Sequence, residues 1–138
     1  MKSEYRPFVD ELIELAIKED IGDGDHTTLC CIPATEQGRM RLLCKQEGIL
    51  AGVEVAELVL RRLDPEMRFE PILGDGTRVK PGDVAFYVEG KLHSLLRAER
   101  ILLNIMQRMS GVATQTAVYA DRLAQYKTKV LDTRKTTP

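Results

Sequence analysis

The sequence lacks three features, and each absence excludes a class of protein. No apolar run approaches the roughly 20 residues that a membrane-spanning helix needs. The formal net charge is -1, whereas a general nucleic-acid or membrane-surface binder carries a strong basic excess. The first stretch, Met1 to Leu15, is charged and amphipathic and has no apolar signal-peptide core. We therefore expect a cytoplasmic protein that binds neither nucleic acid nor a membrane.

Cysteine and histidine are also scarce. Three cysteines, Cys30, Cys31 and Cys44, give an odd number with one adjacent pair, which is a poor disulfide framework. No C-x-x-C occurs, and His26 and His93 lie far apart, so the spacing does not indicate a metal site. We interpret the cysteines as small, mostly buried, reduced thiols.

What is present suffices for one packed domain, because 43% of the 138 residues are hydrophobic. Four segments with apolar residues at helical spacing are predicted as helices. They are Pro7 to Asp20, Val53 to Leu63, His93 to Met109 and Val112 to Tyr126. We expect Ser110 and Gly111 to separate the last two helices.

Two regions have the texture of strands. Gly38 to Gln46 places Met40, Leu42 and Cys44 on one strand face. Residues 67–90 contain short apolar runs separated by turn signals, which predict a small antiparallel or mixed sheet.

The final residues predict the start of a new unit. Lys129 to Asp132 has the pattern of a strand, but no partner strand is near it in sequence. A strand that opens a unit in this way suggests that a second domain follows. We therefore assign residues 1–128 to a first α/β domain and residues 129–138 to the start of another, so that the chain resembles a truncated one.

An unusual cluster of cations follows that predicted strand. Arg134 and Lys135 are adjacent, with Thr133, Thr136 and Thr137 around them. Adjacent cations repel unless an anion lies near, and arginine presents a planar fork that suits a carboxylate or phosphate. The hydroxyl groups add further donors. Two interpretations remain open, an anion site and a solvated basic strand end.

Arg100 is the second candidate, because it lies on a helix that is too apolar to be freely solvated. Such an arginine usually extends its charge to solvent or pairs with an acid. Glu99 cannot share its face, so Glu89 or a group of another chain is the expected partner. Arg100 either binds an anion or forms an interhelical ion pair, and Asn104, one turn on, is placed to orient it.

The stretch from Gly22 to Asp25, GDGD, invites a metal interpretation that its spacing does not support. It lacks the carboxylate spacing and the distal glutamate of a calcium loop, and it is not G-x-G-x-x-G. We interpret it as a tight connection in which Asp25 or Thr27 satisfies backbone donors.

Three stretches together resemble one family. EDIGDGDHTT, LLRAERILLNIMQRMSGVAT and VLDTRKTTP are similar, in order and spacing, to quinolinate phosphoribosyltransferase, also called nicotinate-nucleotide pyrophosphorylase (carboxylating). The family's chain is much longer, so the resemblance implies an N-terminal portion. It also implies a hammerhead-like α/β sandwich followed by an incomplete α/β barrel. The family works as a homodimer in which one subunit's N-terminal domain closes the barrel of the other.

The resemblance further implies a reaction. Quinolinate and phosphoribosyl pyrophosphate give nicotinate mononucleotide, pyrophosphate and carbon dioxide in NAD biosynthesis, with Mg²⁺ bound to the phosphoribosyl pyrophosphate. Every ligand is strongly anionic, so the site must be rich in arginine and lysine.

By motif position, the resemblance implies substrate-binding roles for several residues. Thr133, Arg134 and Lys135 would line the pocket, Thr136 and Thr137 would lie on the phosphate side, and Arg100 would be donated across the dimer interface. The catalytic and metal-side residues would lie beyond Pro138, and no metal ligand lies in this chain. The 138-residue piece alone is therefore expected to be inactive.

Two kinds of alternative remain. Nicotinate phosphoribosyltransferases and a family associated with molybdenum transport are related enzymes, and Arg100 in its A-E-R context favours quinolinate over a monocarboxylate. The non-enzyme alternative is a lipoyl- or biotinyl-type carrier, which GDGTRVKPGDVAFYVEG resembles. Lys80 would be its modified residue, but the usual lysine context is missing there.

Overall fold

The computed structural model describes residues 3–133, which form helices and two small sheets. The elements in chain order are α1 (Arg6–Ile21), α2 (His26–Cys31), β1 (Gln37–Leu43), β2 (Gly48–Ile49), α3 (Val53–Leu63), β3 (Arg68–Pro71), β4 (Arg78–Val79), β5 (Val84–Lys91) and α4 (Leu92–Leu123). This mixture of helix and sheet confirms the predicted α/β class.

The strands are antiparallel, but residues 67–90 do not form one small sheet as predicted, because β3 and β5 belong to one sheet and β4 to another. The larger sheet has the order β1-β5-β3, and β2 pairs with β4 in the smaller one. Val88 of β5 lies opposite Met40 of β1 and Phe69 of β3, so one apolar row crosses the larger sheet. Met40 and Leu42 of β1 pack against the core, as does Cys44, although the strand ends at Leu43 and not at Gln46 as predicted.

Helices α3 and α4 cover this sheet and complete the core. Leu60, Val88, Leu95 and Ala98 are each 0% exposed and belong to one apolar cluster. A second cluster lies beneath α1, where Ile13 packs with buried residues of α3 and α4. The amphipathic pattern predicts the buried face of α3 correctly, because Val53, Ala56, Val59 and Leu60 are buried. In α1 the expected apolar face is wrong: Phe8, Leu12 and Leu15 are exposed, and the helix contacts the core through Ile13.

The prediction that Ser110 and Gly111 interrupt the last helix is wrong, because α4 runs unbroken from Leu92 to Leu123. The Ser110 hydroxyl lies 3.0 Å from the Ala51 backbone nitrogen and accepts its hydrogen bond, and Thr114 Oγ1 accepts one from the Ile49 N–H at 2.8 Å. At about 0.5–1.5 kcal/mol each, these long-range bonds offset the roughly 1 kcal/mol that a mid-helix glycine costs.

The sequence also gave no sign of the short helix α2. Its N-cap is Asp25, whose side chain accepts a hydrogen bond from the Thr28 backbone N–H. The prediction that Asp25 satisfies a backbone donor is therefore confirmed. Six residues are too few for helical periodicity to be detected in the sequence.

The predicted strand from Lys129 to Asp132 is not present. These residues have no regular secondary structure, and their side chains are exposed. A strand needs a hydrogen-bonded neighbour, and within residues 3–133 no strand lies beside this segment. The domain boundary and the second domain stay predictions.

The cysteines differ from the prediction of mostly buried thiols. Cys30 and Cys31 are exposed, because α2 lies on the surface, whereas Cys44 is half-buried. Burial, with the charge of Asp83 nearby, raises the pKa of the Cys44 thiol. All three are free thiols. In the described part of the chain, no helix is long and apolar enough to cross a membrane.

Candidate anion-binding site

Arg100 lies on the outer face of α4. Its neighbours Ile101 and Leu102 are buried, with 4% and 3% exposure, and turn inward to the core. The Arg100 side chain is 71% exposed. The expectation that this helix is too apolar for a solvated arginine is therefore wrong, since its apolar residues concentrate on the inner side and leave a polar outer face.

An ion pair holds Arg100 to the first helix. Arg100 Nε lies 2.5 Å from Oδ1 of Asp20, in the last turn of α1, and the Asp20 side chain is only 21% exposed. The predicted partner was different, because Glu89 instead pairs with Arg39 and Arg68 across the larger sheet. The predicted interhelical ion pair of Arg100 is present, with Asp20 in place of Glu89, and the guanidinium is also accessible to solvent.

The chain reversal at the GDGD stretch brings the carboxylates of Asp20 and Asp25 close to Arg100. Gly22 and Gly24 have φ values of 54° and 140°, which favour glycine, and they reverse the chain after α1. The Gly22 N–H donates to the Lys18 carbonyl oxygen at 3.2 Å, which closes the helix end. Asp20 precedes the reversal and Asp25 follows it, so both acids face the same part of α4.

Asp25 is a fixed carboxylate. Thr28 Oγ1 donates to Asp25 Oδ2 at 2.5 Å, and the Thr28 N–H donates to Oδ1 at 3.2 Å. These bonds lower the pKa of Asp25, and the positive charges of Arg100 and Arg97 lower it further, against the effect of burial. Asp25 is therefore ionised at neutral pH and lies within the field of both arginines.

Arg97 was missed by the sequence reasoning. It lies one turn before Arg100 on α4, is half-buried, and its Nε atom is buried without a hydrogen-bond partner. The signal that would have found it is its spacing, since residues three apart on a helix share a face. The described chain thus places two guanidinium groups side by side at this end of α4.

The end of α2 is also attached to α4. His93 Nε2 lies 2.8 Å from the carbonyl oxygen of Ile32, so the proton on Nε2 makes this bond. Asn104, which was expected to orient Arg100, is exposed, and no hydrogen bond joins the two within the described residues. The orienting contact comes from Asp20 instead.

The second predicted group lies almost wholly outside the described residues. Thr133 is described and exposed. Arg134, Lys135, Thr136 and Thr137 fall outside residues 3–133, and their predicted roles stay predictions. Over the described range, no group of three or more His, Cys, Asp or Glu side chains is placed to hold a metal ion.

Comparison with known proteins identifies the family to which this domain belongs. A family model described as "Quinolinate phosphoribosyl transferase, N-terminal domain" matches residues 25–110. The chain belongs to this family. The match spans the Asp25 cap and Arg100, whereas Asp20, the ion-pair partner of Arg100, lies before its first residue.

Relatives agree over nearly the whole chain. Quinolinate phosphoribosyltransferase [decarboxylating] 1 of Nicotiana glauca is 43% identical over 92% of this chain and 36% of its own length. A probable nicotinate-nucleotide pyrophosphorylase [carboxylating] of Synechocystis is 38% identical over 94% of this chain and 44% of its own.

Solved structures agree on the fold. The crystal structure of NadC from Streptococcus pyogenes superposes with a TM-score of 0.91 at 37% identity, covering 96% of this chain and 47% of that one. The chain therefore spans between about a third and a half of the length of the relatives it matches.

Proposed function

We propose that the protein transfers a phosphoribosyl group to quinolinate with decarboxylation, giving nicotinate mononucleotide, carbon dioxide and pyrophosphate. The relatives named above carry this activity in their names. The observation that carries the proposal is Arg100, a guanidinium that is 71% exposed yet held by an ion pair on a rigid helix. A preorganised cation of this kind suits a carboxylate of the substrate.

The length of α4 supports a role for Arg100 in a neighbouring subunit. From Arg100 to Leu123 the helix rises by about 35 Å, at about 1.5 Å per residue. After Leu123 the chain forms turns through Lys127, which shortens its reach. Arg100 thus lies far from the point where its own chain continues, which favours a homodimer in which it completes the partner's pocket.

The substrate chemistry assigns the remaining cations. Quinolinate carries two carboxylates, and a bidentate arginine on each would fix its orientation, for which we propose Arg100 and Arg134. Lys135, a compact point charge, suits the phosphate side. Thr133 would line the pocket, and Thr136 and Thr137 would donate hydroxyl hydrogen bonds on the phosphate side.

We also propose that Mg²⁺ enters bound to phosphoribosyl pyrophosphate. A magnesium ion would neutralise the charge of the leaving pyrophosphate. The described residues offer no group of three suitable side chains for it. The ion therefore does not fit this part of the chain as a resident cofactor.

The cytoplasm is the proposed location. Three free cysteines, two of them exposed, suit a reducing compartment. Some plant relatives are named as mitochondrial or chloroplastic, so cell fractionation with an antibody to this chain is the appropriate check.

The carrier alternative finds no support in the topology. The turn that contains Lys80 joins β4 to β5, which belong to different sheets. A carrier lysine needs the tip of a tight hairpin of paired strands. The Lys80 N–H instead donates to Asp83 Oδ2 at 2.9 Å, as part of an ordinary connecting turn.

Because the 138-residue piece alone is expected to be inactive, the test uses protein expressed from the parent gene, with an intact mass above that of the 138 residues. It is incubated with quinolinate, phosphoribosyl pyrophosphate and Mg²⁺, and with nicotinate in a parallel reaction, and nicotinate mononucleotide is detected by mass. We expect product from quinolinate alone. Product from nicotinate alone would assign the protein to the nicotinate enzymes, and no product from either would favour the relatives associated with molybdenum transport.

A further inference from the structure

The ion pair between α1 and α4 joins two sequence motifs that lie far apart in the chain. Asp20 belongs to the stretch EDIGDGDHTT and Arg100 to LLRAERILLN. Asp20 is 21% exposed, whereas Arg100 is 71% exposed, so the acid is the fixed member and the base is the accessible one. An acid that is held inside the fold restricts the rotamers of a long side chain that would otherwise be free.

The contact uses the part of the guanidinium nearest to the helix. Asp20 Oδ1 meets Arg100 at Nε, and within the described residues no other ion pair or hydrogen bond engages this arginine. A guanidinium has five N–H donors in a planar fork. With its Nε end taken up and most of its surface exposed, Arg100 keeps donors for a second carboxylate.

The carboxylate of Asp25 strengthens this arrangement without competing for the same contact. Its oxygens are already engaged by the hydroxyl and N–H of Thr28. The hydrogen bonds from Thr28 are the main cause of the lowered pKa of Asp25, and attraction to the charge of Arg100 is a smaller one. Asp25 therefore attracts Arg100 through its charge alone, whereas Asp20 makes the direct contact that orients the guanidinium.

We propose that Asp20 is a positioning residue for substrate binding, which orients the Arg100 guanidinium toward a carboxylate of quinolinate. This inference rests on the proposed function. Asp20 lies on the inner side of the ion pair and does not itself touch the substrate. Without the Asp20 carboxylate, Arg100 would adopt many rotamers. Substrate binding would then have to order the side chain, and the lost conformational entropy would weaken the affinity.

The test is steady-state kinetics of Asp20→Asn in protein expressed from the gene that encodes this chain. We expect the KM for quinolinate to rise about fivefold, the upper range for one exposed ion pair, with the KM for phosphoribosyl pyrophosphate unchanged. Asp20→Glu keeps the charge and should restore much of the affinity. Asp10→Asn removes another exposed ion pair of the same helix, 2.9 Å from Arg6, and should change neither constant.

A double-mutant cycle distinguishes positioning from a general loss of structure. In an Arg100→Lys background, which lacks the guanidinium fork, Asp20→Asn should have little further effect on the quinolinate KM. An equal effect in both backgrounds, or an unchanged quinolinate KM in active Asp20→Asn, would overturn the inference alone. Absence of quinolinate turnover in the wild type would overturn the proposed function and this inference together.

Discussion

The two halves of α4 are held in place by different interactions, apolar packing in the first and hydrogen bonds in the second. The first half contains every buried residue of the helix, namely Leu95, Ala98, Ile101, Leu102 and Met106. The second half exposes Val112 and Tyr119, by 60% and 58%, and is attached through the hydroxyls of Ser110 and Thr114. One half is packed by apolar contact and the other is bonded at a few polar points, so the two should respond differently to mutation.

The largest expected effect is in the packed half. Leu95→Ala should lower the free energy of unfolding by about 2–5 kcal/mol, because the side chain is 0% exposed and its loss leaves a cavity. Chemical denaturation measures this. Val112→Ala is the matched change in the second half, and we expect a change within about 0.5 kcal/mol. Equal losses would show that the second half is also packed in solution.

The next largest effect concerns the polar attachment. A Cβ at Gly48 would lie 2.6 Å from Thr114 Oγ1, which binds the Ile49 N–H and donates to the Ser110 carbonyl. Gly48→Ala should cost about 1–3 kcal/mol by forcing this hydroxyl away.

The partner residue provides the control for that change. Thr114→Ala removes the hydroxyl and should cost about 1 kcal/mol by itself. In its background Gly48→Ala should become much milder, because the clashing atom is gone. Strict additivity of the two losses, measured by denaturant titration, would contradict a direct contact.

A smaller effect is expected at Arg97. Its buried Nε has no hydrogen-bond partner, and the attraction to the Asp25 charge is weak, so the charged side chain gains little that offsets its desolvation. Arg97→Met should leave the free energy of unfolding within about 1 kcal/mol of the wild type, or raise it. A loss above about 2 kcal/mol in thermal and chemical unfolding would show that Arg97 has a stabilising partner in solution.

The smallest effect depends on pH. Because the folded-state pKa of Asp25 is lowered, its ionised form contributes stability above the unfolded value of about 3.9, and this is lost as the pH falls through the folded pKa. Asp25→Asn keeps a capping side chain but removes this contribution. The stability difference between wild type and variant should shrink from pH 7 to pH 3, and a constant difference would refute the assignment.

The bounds of the first two long helices were predictable, because each shows a local pattern of apolar residues at helical spacing. Val53–Leu63 has the predicted bounds, and α1 differs from its prediction by one residue at each end. The continuity of α4 across Ser110 was not predictable, because it depends on hydrogen bonds to a loop that lies far away in sequence. Local periodicity carries no information about such partners.

The site was predictable in its residue but not in its geometry. Arg100 was identified from its place on an apolar helix and from the family resemblance, yet its partner Asp20 lies in another helix. Asp20 and Arg100 pair because α1 packs on α4, and local sequence patterns do not predict which helices pack together. Arg97 was missed because its importance lies in burial of one atom, which only the folded structure shows.

Because α4 is continuous, the number of residues from Arg100 to Leu123 sets both the distance and the rotation between Arg100 and the chain that follows. Each residue of a helix advances the axis by about 1.5 Å and turns it by about 100°. An insertion or deletion of a single residue in that span would rotate the guanidinium to a different side of the molecule. Under the substrate-binding role proposed for Arg100, the number of residues between Arg100 and Leu123 matters for function, so length changes should be tolerated in the loops but not in this span.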